Sequence, residues 1–320
     1  MKLTHSVKRK LLQIIAFGFS NPYIGNFAKG RIYQGKWKNF CNPGMNCYSC
    51  PAARLACPIG AMQAVSDSMN FNFSFYVVGI ILAVGAVLGR WVCGFLCPFG
   101  LIQEIIAKIP VPKVKLPKAL TYVKYVVLVL FVLVFPVVIT NYAGVGKPTF
   151  CEFICPAGTL EGGIPLLLMR PDLAKAIGAL FSLKAAILLG TLAGCMFIPR
   201  FFCKLLCPLG AIYGLLNKVS LYHLNVDKEQ CVRCGKCAKI CPMDVDPTKT
   251  PNSCECIRCG NCASQPRLFH LAFDRKQKMH KAGKVTQAEL CETEKCKLET
   301  PSSVMAFLLC VQQKHDSSIF

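Results

Sequence analysis

Long uncharged stretches dominate the polarity pattern of this chain, and short cysteine-rich segments lie between them. Two stretches exceed the roughly 20 apolar residues that cross about 30 Å of hydrocarbon. One has 22 uncharged residues between Asp67 and Arg90, with its apolar core at 73–89; the other has 22 between Lys124 and Lys147, with its core at 125–139. A third, from Lys175 to Arg200, is broken only by Lys184, whose stem can snorkel toward a surface. The fourth, from Lys10 to Lys29, has 18 uncharged residues but contains Asn21, Pro22 and Asn26. It reads as a span, a re-entrant segment or an uncleaved signal anchor. The pattern predicts an α-helical polytopic membrane protein with about four transmembrane helices.

Composition agrees with that reading, because 320 residues with 53% hydrophobic and 17% charged content are too apolar for ordinary soluble domains. The net charge of +21 would suggest nucleic acid, so its placement matters. Residues 1–222 carry 22 basic and 5 acidic side chains, against 15 and 11 in 223–320. The excess therefore flanks the spans and forms no phosphate-binding face, which excludes nucleic acid as a partner. With four spans, the flanks on one side hold thirteen Lys and Arg and those on the other hold eight. That imbalance predicts a multi-pass protein of the cell membrane with both termini in the cytoplasm. Three regions follow: a membrane domain over 1–222, a polar domain over 223–273, and a Lys- and Glu-rich tail over 274–320 with little periodicity.

The 22 cysteines are too many for an ordinary enzyme and too dispersed for a secreted disulfide scaffold. A Cys-Pro-x-Gly phrase recurs four times, beginning at Cys57, Cys97, Cys155 and Cys207. Three copies have a cysteine four residues upstream: Cys93, Cys151 and Cys203. The first copy has Cys41, Cys47 and Cys50 instead. Four copies alternating with four spans predict two pseudo-repeated halves, 8–109 and 119–220, related by an axis along the membrane normal. Cys93 and Cys97 then face Cys203 and Cys207 on the cytoplasmic side, while Cys151 and Cys155 face the Cys41–Cys57 loop on the other. Two C-x3-C pairs supply the four thiolates of a cubane cluster, so one such site is expected at each membrane face. Disulfides between outer cysteines, or metal-free capping turns, are the alternatives. Cys47-x2-Cys50 also fits a dithiol pair or a zinc ligand.

Cys231-x2-Cys234-x2-Cys237-x3-Cys241-Pro242 is a complete bacterial ferredoxin run, a spacing that zinc sites rarely use. A second run, Cys256-x2-Cys259-x2-Cys262, lacks its fourth cysteine because Pro266 stands there. Since the fourth cysteine of each run serves the other cluster, Cys241, Cys256, Cys259 and Cys262 make a full set. Cys231, Cys234 and Cys237 are one ligand short. A three-iron cluster, a labile iron, or a ligand from Cys254, Cys291 or Cys296 remain open. One to two [4Fe–4S] clusters are predicted in this segment, with one or two more in the membrane domain.

The four spans, Cys93-Gly-Phe-Leu-Cys97-Pro, Cys203-Lys-Leu-Leu-Cys207-Pro and the double ferredoxin run together resemble the membrane-bound 4Fe–4S polyferredoxins. These are similar to the quinol-dehydrogenase subunit of periplasmic nitrate reductase and the nitrous-oxide reductase regulator. The resemblance covers about 1–273 and departs at Pro266 and in the extra cysteines around Cys41 and Cys151. It implies electron transfer between a quinol pool or cytoplasmic donor and an extracytoplasmic acceptor, with a quinone or a redox protein as partner. The chain would then be an electron-transfer subunit with no catalytic residue of its own. An iron–sulfur redox sensor or a metalloenzyme assembly factor is the alternative.

Other carriers are not evident. All five histidines fall outside the spans, which argues against a bis-histidine haem, and no dinucleotide fingerprint or P-loop occurs. Ion transport is disfavoured because the spans lack the carboxylates and histidines of ion pathways. The sixth residue after each Cys-Pro cysteine is Gln63, Gln103, Glu161 or Tyr213. These fit either quinone ligands or helix-surface residues near the headgroups. Cys195 reads as a small buried side chain, and Cys310 carries no signal.

Overall fold

The computed structural model describes residues 5–67, 75–139, 146–169, 177–227, 231, 234–262 and 269–272. These belong to one packed unit, residues 1–279; the tail over 274–320, including Cys291, Cys296 and Cys310, lies outside the described residues, as does Pro266.

The first helix, His5–Ser20, stops where Pro22 disfavours helical geometry at the residue before it. Asn21 closes it, its backbone and side-chain N–H groups both donating to the Phe17 carbonyl at 3.0 and 3.2 Å. Its sixteen described residues rise about 24 Å.

Among the described residues two helices are long and apolar enough to cross a membrane, Lys118–Val138 and Ala179–Phe197. Tyr76–Leu88 is apolar but shorter, and residues 68–74 before it lie outside the described set. Lys184, half-buried, donates to the Cys151 carbonyl at 3.3 Å. The Lys118–Val138 helix opens into a wide π-type turn at Leu128–Val134, just before Pro136, which has no N–H to donate. The Thr149 hydroxyl donates to the Phe131 carbonyl of that turn at 2.7 Å.

The two halves interlock. Pro98–Ile106, from the first half, packs on Ala179–Phe197 of the second; Pro208–Leu216, from the second, packs on Phe75–Leu88 of the first. Arg90 and Arg200, each three residues before a C-x3-C pair, reach across in the same way. Arg90 donates to the Cys203 carbonyl at 3.3 Å, and Arg200 donates to the Cys93 carbonyl at 2.7 Å. Both are completely buried. Glu255 pairs with Arg90 and Lys124, and Glu104 pairs with Arg200 and Arg9.

The polar segment packs directly on this frame. Strand His223–Val226 pairs antiparallel with Phe269–Ala272, setting His223 opposite Ala272 and Val226 opposite Phe269. Between the strands, the Arg258 guanidinium bolts the second cysteine run to the membrane half, donating to Leu88 O, Ser220 Oγ and Asn217 O.

Burial alone would raise the Glu104 carboxyl, but Arg200 and Arg9 outweigh it and hold it below its ordinary value. A group depressed on folding contributes stability above its unfolded pKa and loses it as pH falls through the folded one. Glu104→Gln strands two buried guanidiniums, so it is expected to cost about 3–5 kcal/mol at neutral pH. In detergent melts the deficit should shrink as the wild type is taken below roughly pH 4. A variant as stable as the wild type at pH 7 would show that the pair contributes nothing.

Candidate iron-sulfur sites

Each Cys-Pro-x-Gly phrase folds as a helix start. Where the turn is described in full, the cysteine is extended (Cys97 φ −82°, ψ 114°; Cys155 φ −66°, ψ 109°; Cys207 φ −72°, ψ 109°) and proline opens the helix. The glycine N–H, an orphan donor of the first turn, then points back at the sulfur: Gly210 N donates to Cys207 Sγ at 3.3 Å. In the other three turns the glycine N–H likewise works against the rise that burial gives the Cys57, Cys97 and Cys155 thiols.

The structure brings Cys93, Cys97, Cys203 and Cys207 together in the core, as the repeat predicts. Burial, with Cys203 and Cys93 alongside, pushes the Cys97 thiol up to about 12. Gln103 Nε2 donates to Cys203 Sγ at 3.1 Å, while its Oε1 accepts from the Cys203 N–H at 3.4 Å.

A second set forms from Cys47, Cys57, Cys151 and Cys155. The repeat would place its missing member at position 53, but Ala53 stands there, fully buried, and Cys47 takes that role. Burial and Cys57 push the Cys151 thiol to about 12. Gln63 repeats the Gln103 arrangement, its Nε2 donating to Cys151 Sγ at 3.2 Å and its Oε1 accepting from the Phe150 N–H at 2.9 Å. Cys41 lies beside Cys57 and Tyr213, and Cys50 lies against Glu161 and Lys38.

Residues 42–46 fold inward, with Met45 and Asn46 buried and Gly44 packed against the Cys97 backbone. Polar anchors draw the loop in: Asn21 and Asn46 exchange amide hydrogen bonds at 3.1 Å, and Asn42 donates to Ser20 Oγ at 3.2 Å.

In the polar segment, Cys241, Cys256, Cys259 and Cys262 line one cavity with Met243 and Ile257. Burial pushes the Cys256 thiol to about 11. Cys237 faces Cys234 and Cys231 and lies near Cys262. Cys254 does not join that three-cysteine group: its thiol faces Tyr125, and its carbonyl accepts from Arg90 at 2.6 Å. Asp246 is the carboxylate facing Cys237. Gly94, inside the first C-x3-C pair, abuts this run; a Cβ there would lie 2.8 Å from the Ile257 carbonyl oxygen.

All described cysteines are free thiols, so outer disulfides are not formed. Among the described residues no three or more His, Cys, Asp or Glu close on a single ion. Buried thiols with amide donors and guanidiniums beside them suit a cluster that carries negative charge.

Gln63, Gln103 and Tyr213 are buried in the core and do not lie on the helix surface. Gln63 and Gln103 donate to sulfur, Glu161 accepts from the Cys47 N–H at 2.7 Å, and the Tyr213 hydroxyl donates to the Pro43 carbonyl at 3.0 Å. Burial raises Glu161 to about 7. Their fixed offset from the Cys-Pro cysteine was the signal, as was the arginine three residues before Cys93 and Cys203.

An N–H donated to sulfur favours the more negative, reduced state, so its removal lowers a potential. Gln63→Leu is expected to lower one midpoint potential by up to about 60 mV, the equivalent of a tenfold change for one electron. Gln103→Leu should lower a different one. Redox titrations in which both variants move the same midpoint, or neither moves any, would contradict the assignment of separate sites.

A model described as a 4Fe-4S binding domain matches residues 71–117, 125–167 and 183–226, each segment carrying one C-x3-C-Pro turn. Another 4Fe-4S binding domain matches 224–245. An uncharacterized protein of Methanocaldococcus jannaschii is 31% identical over 53% of this chain and 66% of its own length. YccM of Escherichia coli, assigned by name to electron transport, is 27% identical over 50% of this chain and 43% of its own. The ferredoxin-type protein NapH of Haemophilus influenzae is 23% identical over 40% of this chain and 55% of its own. The chain thus spans less than two thirds of the length of each of these relatives. No solved structure matches it. Its cysteine turns, its domain matches and these relatives agree: the chain belongs to the 4Fe-4S polyferredoxin family.

Proposed function

We propose that the chain carries single electrons between a quinol pool or a cytoplasmic donor and an extracytoplasmic acceptor, as a multi-pass membrane protein with its ferredoxin segment on the cytoplasmic side. The observation that carries this reading is contiguity: cysteines of three four-thiol sets share one apolar core. Cys241, Cys256, Cys259 and Cys262 would hold one cluster, Cys93, Cys97, Cys203 and Cys207 a second, and Cys47, Cys57, Cys151 and Cys155 a third. A bound [4Fe–4S] cluster supplies one-electron redox chemistry. The residues around it do the rest. Helix-start N–H groups and the two glutamines donate to sulfur, Arg90 and Arg200 offset negative charge, and the apolar core excludes water. The Cys231, Cys234 and Cys237 group, with Cys234 exposed, supports a labile fourth centre and keeps the sensor reading as the second choice.

Anaerobic iron and sulfide quantitation on the full-length protein tests the assignment. About twelve irons are expected from three complete sets, plus about three if the fourth centre is filled. Cys207→Ser should lose about four irons and abolish turnover from a quinol analogue or reduced ferredoxin to an added acceptor. Cluster loss on mild oxidation without any turnover in the wild type would favour the sensor and overturn the conduit.

A further inference from the structure

We propose that the second ferredoxin run occupies a seat opened by a break in the repeat. Glu255 gives Arg90 the carboxylate that Glu104 gives Arg200, while Gly214 and Gly94 keep clear the space into which the run's backbone fits. The inference rests on the electron-transfer reading for its consequence. It adds the joint at which the set of Cys241, Cys256, Cys259 and Cys262 meets that of Cys93, Cys97, Cys203 and Cys207.

The two halves match at a constant offset, Arg90, Cys93 and Cys97 corresponding to Arg200, Cys203 and Cys207. The match holds in space as well. A Cβ on Gly100 would lie 3.4 Å from the Arg200 guanidinium, and one on the equivalent Gly210 would lie 3.2 Å from that of Arg90. Two positions break it. Glu104, seven residues after Cys97, corresponds to Gly214, and Gly94, directly after Cys93, corresponds to Lys204.

Arg200 therefore finds its carboxylate within the membrane half, its Nε donating to Glu104 Oε1 at 2.9 Å. At the corresponding position Arg90 meets only a glycine. A guanidinium buried this completely is strongly destabilising without a partner, so the carboxylate has to come from elsewhere. Arg90 Nη1 donates to Glu255 Oε2 at 2.9 Å and to the Cys254 carbonyl at 2.6 Å.

The same gap admits the backbone. A Cβ at Gly214 would lie 2.8 Å from the Cys254 carbonyl oxygen, and one at Gly94 would lie 2.8 Å from that of Ile257. These two carbonyls stand on either side of Cys256. Asn217, which closes the helix after Cys207, donates to the Ser253 and Cys256 carbonyls at 2.7 and 3.0 Å. Lys204, standing where the other half has Gly94, pairs with Asp244 just beyond Cys241. Both breaks in the repeat are thus filled from the ferredoxin segment. At the seat no bond forms or breaks; the one electron lost at one set is gained at the other, supplied and removed by the donor and acceptor of the proposed function.

The test compares full-length, anaerobically purified wild type, Gly214→Ala, Gly214→Glu, Glu255→Gln and the double variant Gly214→Glu with Glu255→Gln. Iron content, thermal melting, protease release of the segment after residue 222, and electron redistribution between the two sets after rapid one-electron reduction are read together. Glu255→Gln should melt several degrees below the wild type. The double variant should regain part of that loss, because Arg90 again has a carboxylate within reach while Lys124 stays unpaired. In the double variant, as in Gly214→Glu alone, protease should release the segment several-fold faster and redistribution should slow several-fold. Gly214→Ala, which adds one methyl group and no charge, should keep its iron and still slow redistribution several-fold. A double variant that melts no higher than Glu255→Gln would overturn the exchange of carboxylates. Wild-type protection and redistribution in both Gly214 variants would overturn the seat, and loss of iron from Gly214→Ala would reduce Gly214 to packing around the cysteines and overturn it too. A wild type in which no electron passes between the two sets, with melting and proteolysis as expected, would sink the electron-transfer reading and leave the seat standing.

Discussion

Sulfur ligands that carry negative charge cannot sit in an apolar core unless something positive is buried with them. The rest of the architecture follows from how this chain meets that condition. Helix-start N–H groups supply partial charge, and Arg90 and Arg200 supply full charge, each crossing to the other half's C-x3-C turn. A buried guanidinium needs a carboxylate in its turn, and the two carboxylates chosen do structural duty. Glu104 ties the first helix to the frame through Arg9, and Glu255 ties in both Lys124 of the long apolar helix and the second ferredoxin run. The docking of the polar segment is thus a consequence of charge balance around Cys93, Cys97, Cys203 and Cys207.

Much of this was legible in the chain, and the failures share a cause. The C-x3-C pairs and the complete set formed by Cys241, Cys256, Cys259 and Cys262 were readable because a fixed spacing on a helix start or ferredoxin turn determines where sulfurs point. Cys47 was not singled out among its loop neighbours, since a ten-residue irregular loop carries no period and its path depends on Asn21, Asn42 and Asn46 finding partners elsewhere. The polar sixth-position residues were located but misread, because charge and amide groups beside apolar helices usually mean headgroups. Burial reverses their meaning.

The repeat is also not symmetric in what it does. In the first half the sixth-position residues are glutamines that donate to a sulfur of the second half. In the second half the equivalents, Glu161 and Tyr213, hold the Cys47 and Pro43 backbone of the first. One position of the repeat thus serves as sulfur donor in one half and loop anchor in the other. The division goes with Ala53 standing where the other copies have cysteine, because a thiol drawn from a long loop needs fastening that a C-x3-C turn does not.

The joints between sets share one device. At Gly94 a side chain would strike the Ile257 carbonyl, and at Gly44 it would strike Cys97 Cα. In both places backbone lies on backbone, with no side chain thick enough to separate one cysteine set from the next. A protein that merely stored clusters would gain nothing from such contact and would be free to space its sites with ordinary packing. Close backbone approach at successive joints is what electron passage over short gaps demands, and glycine is the residue that permits it.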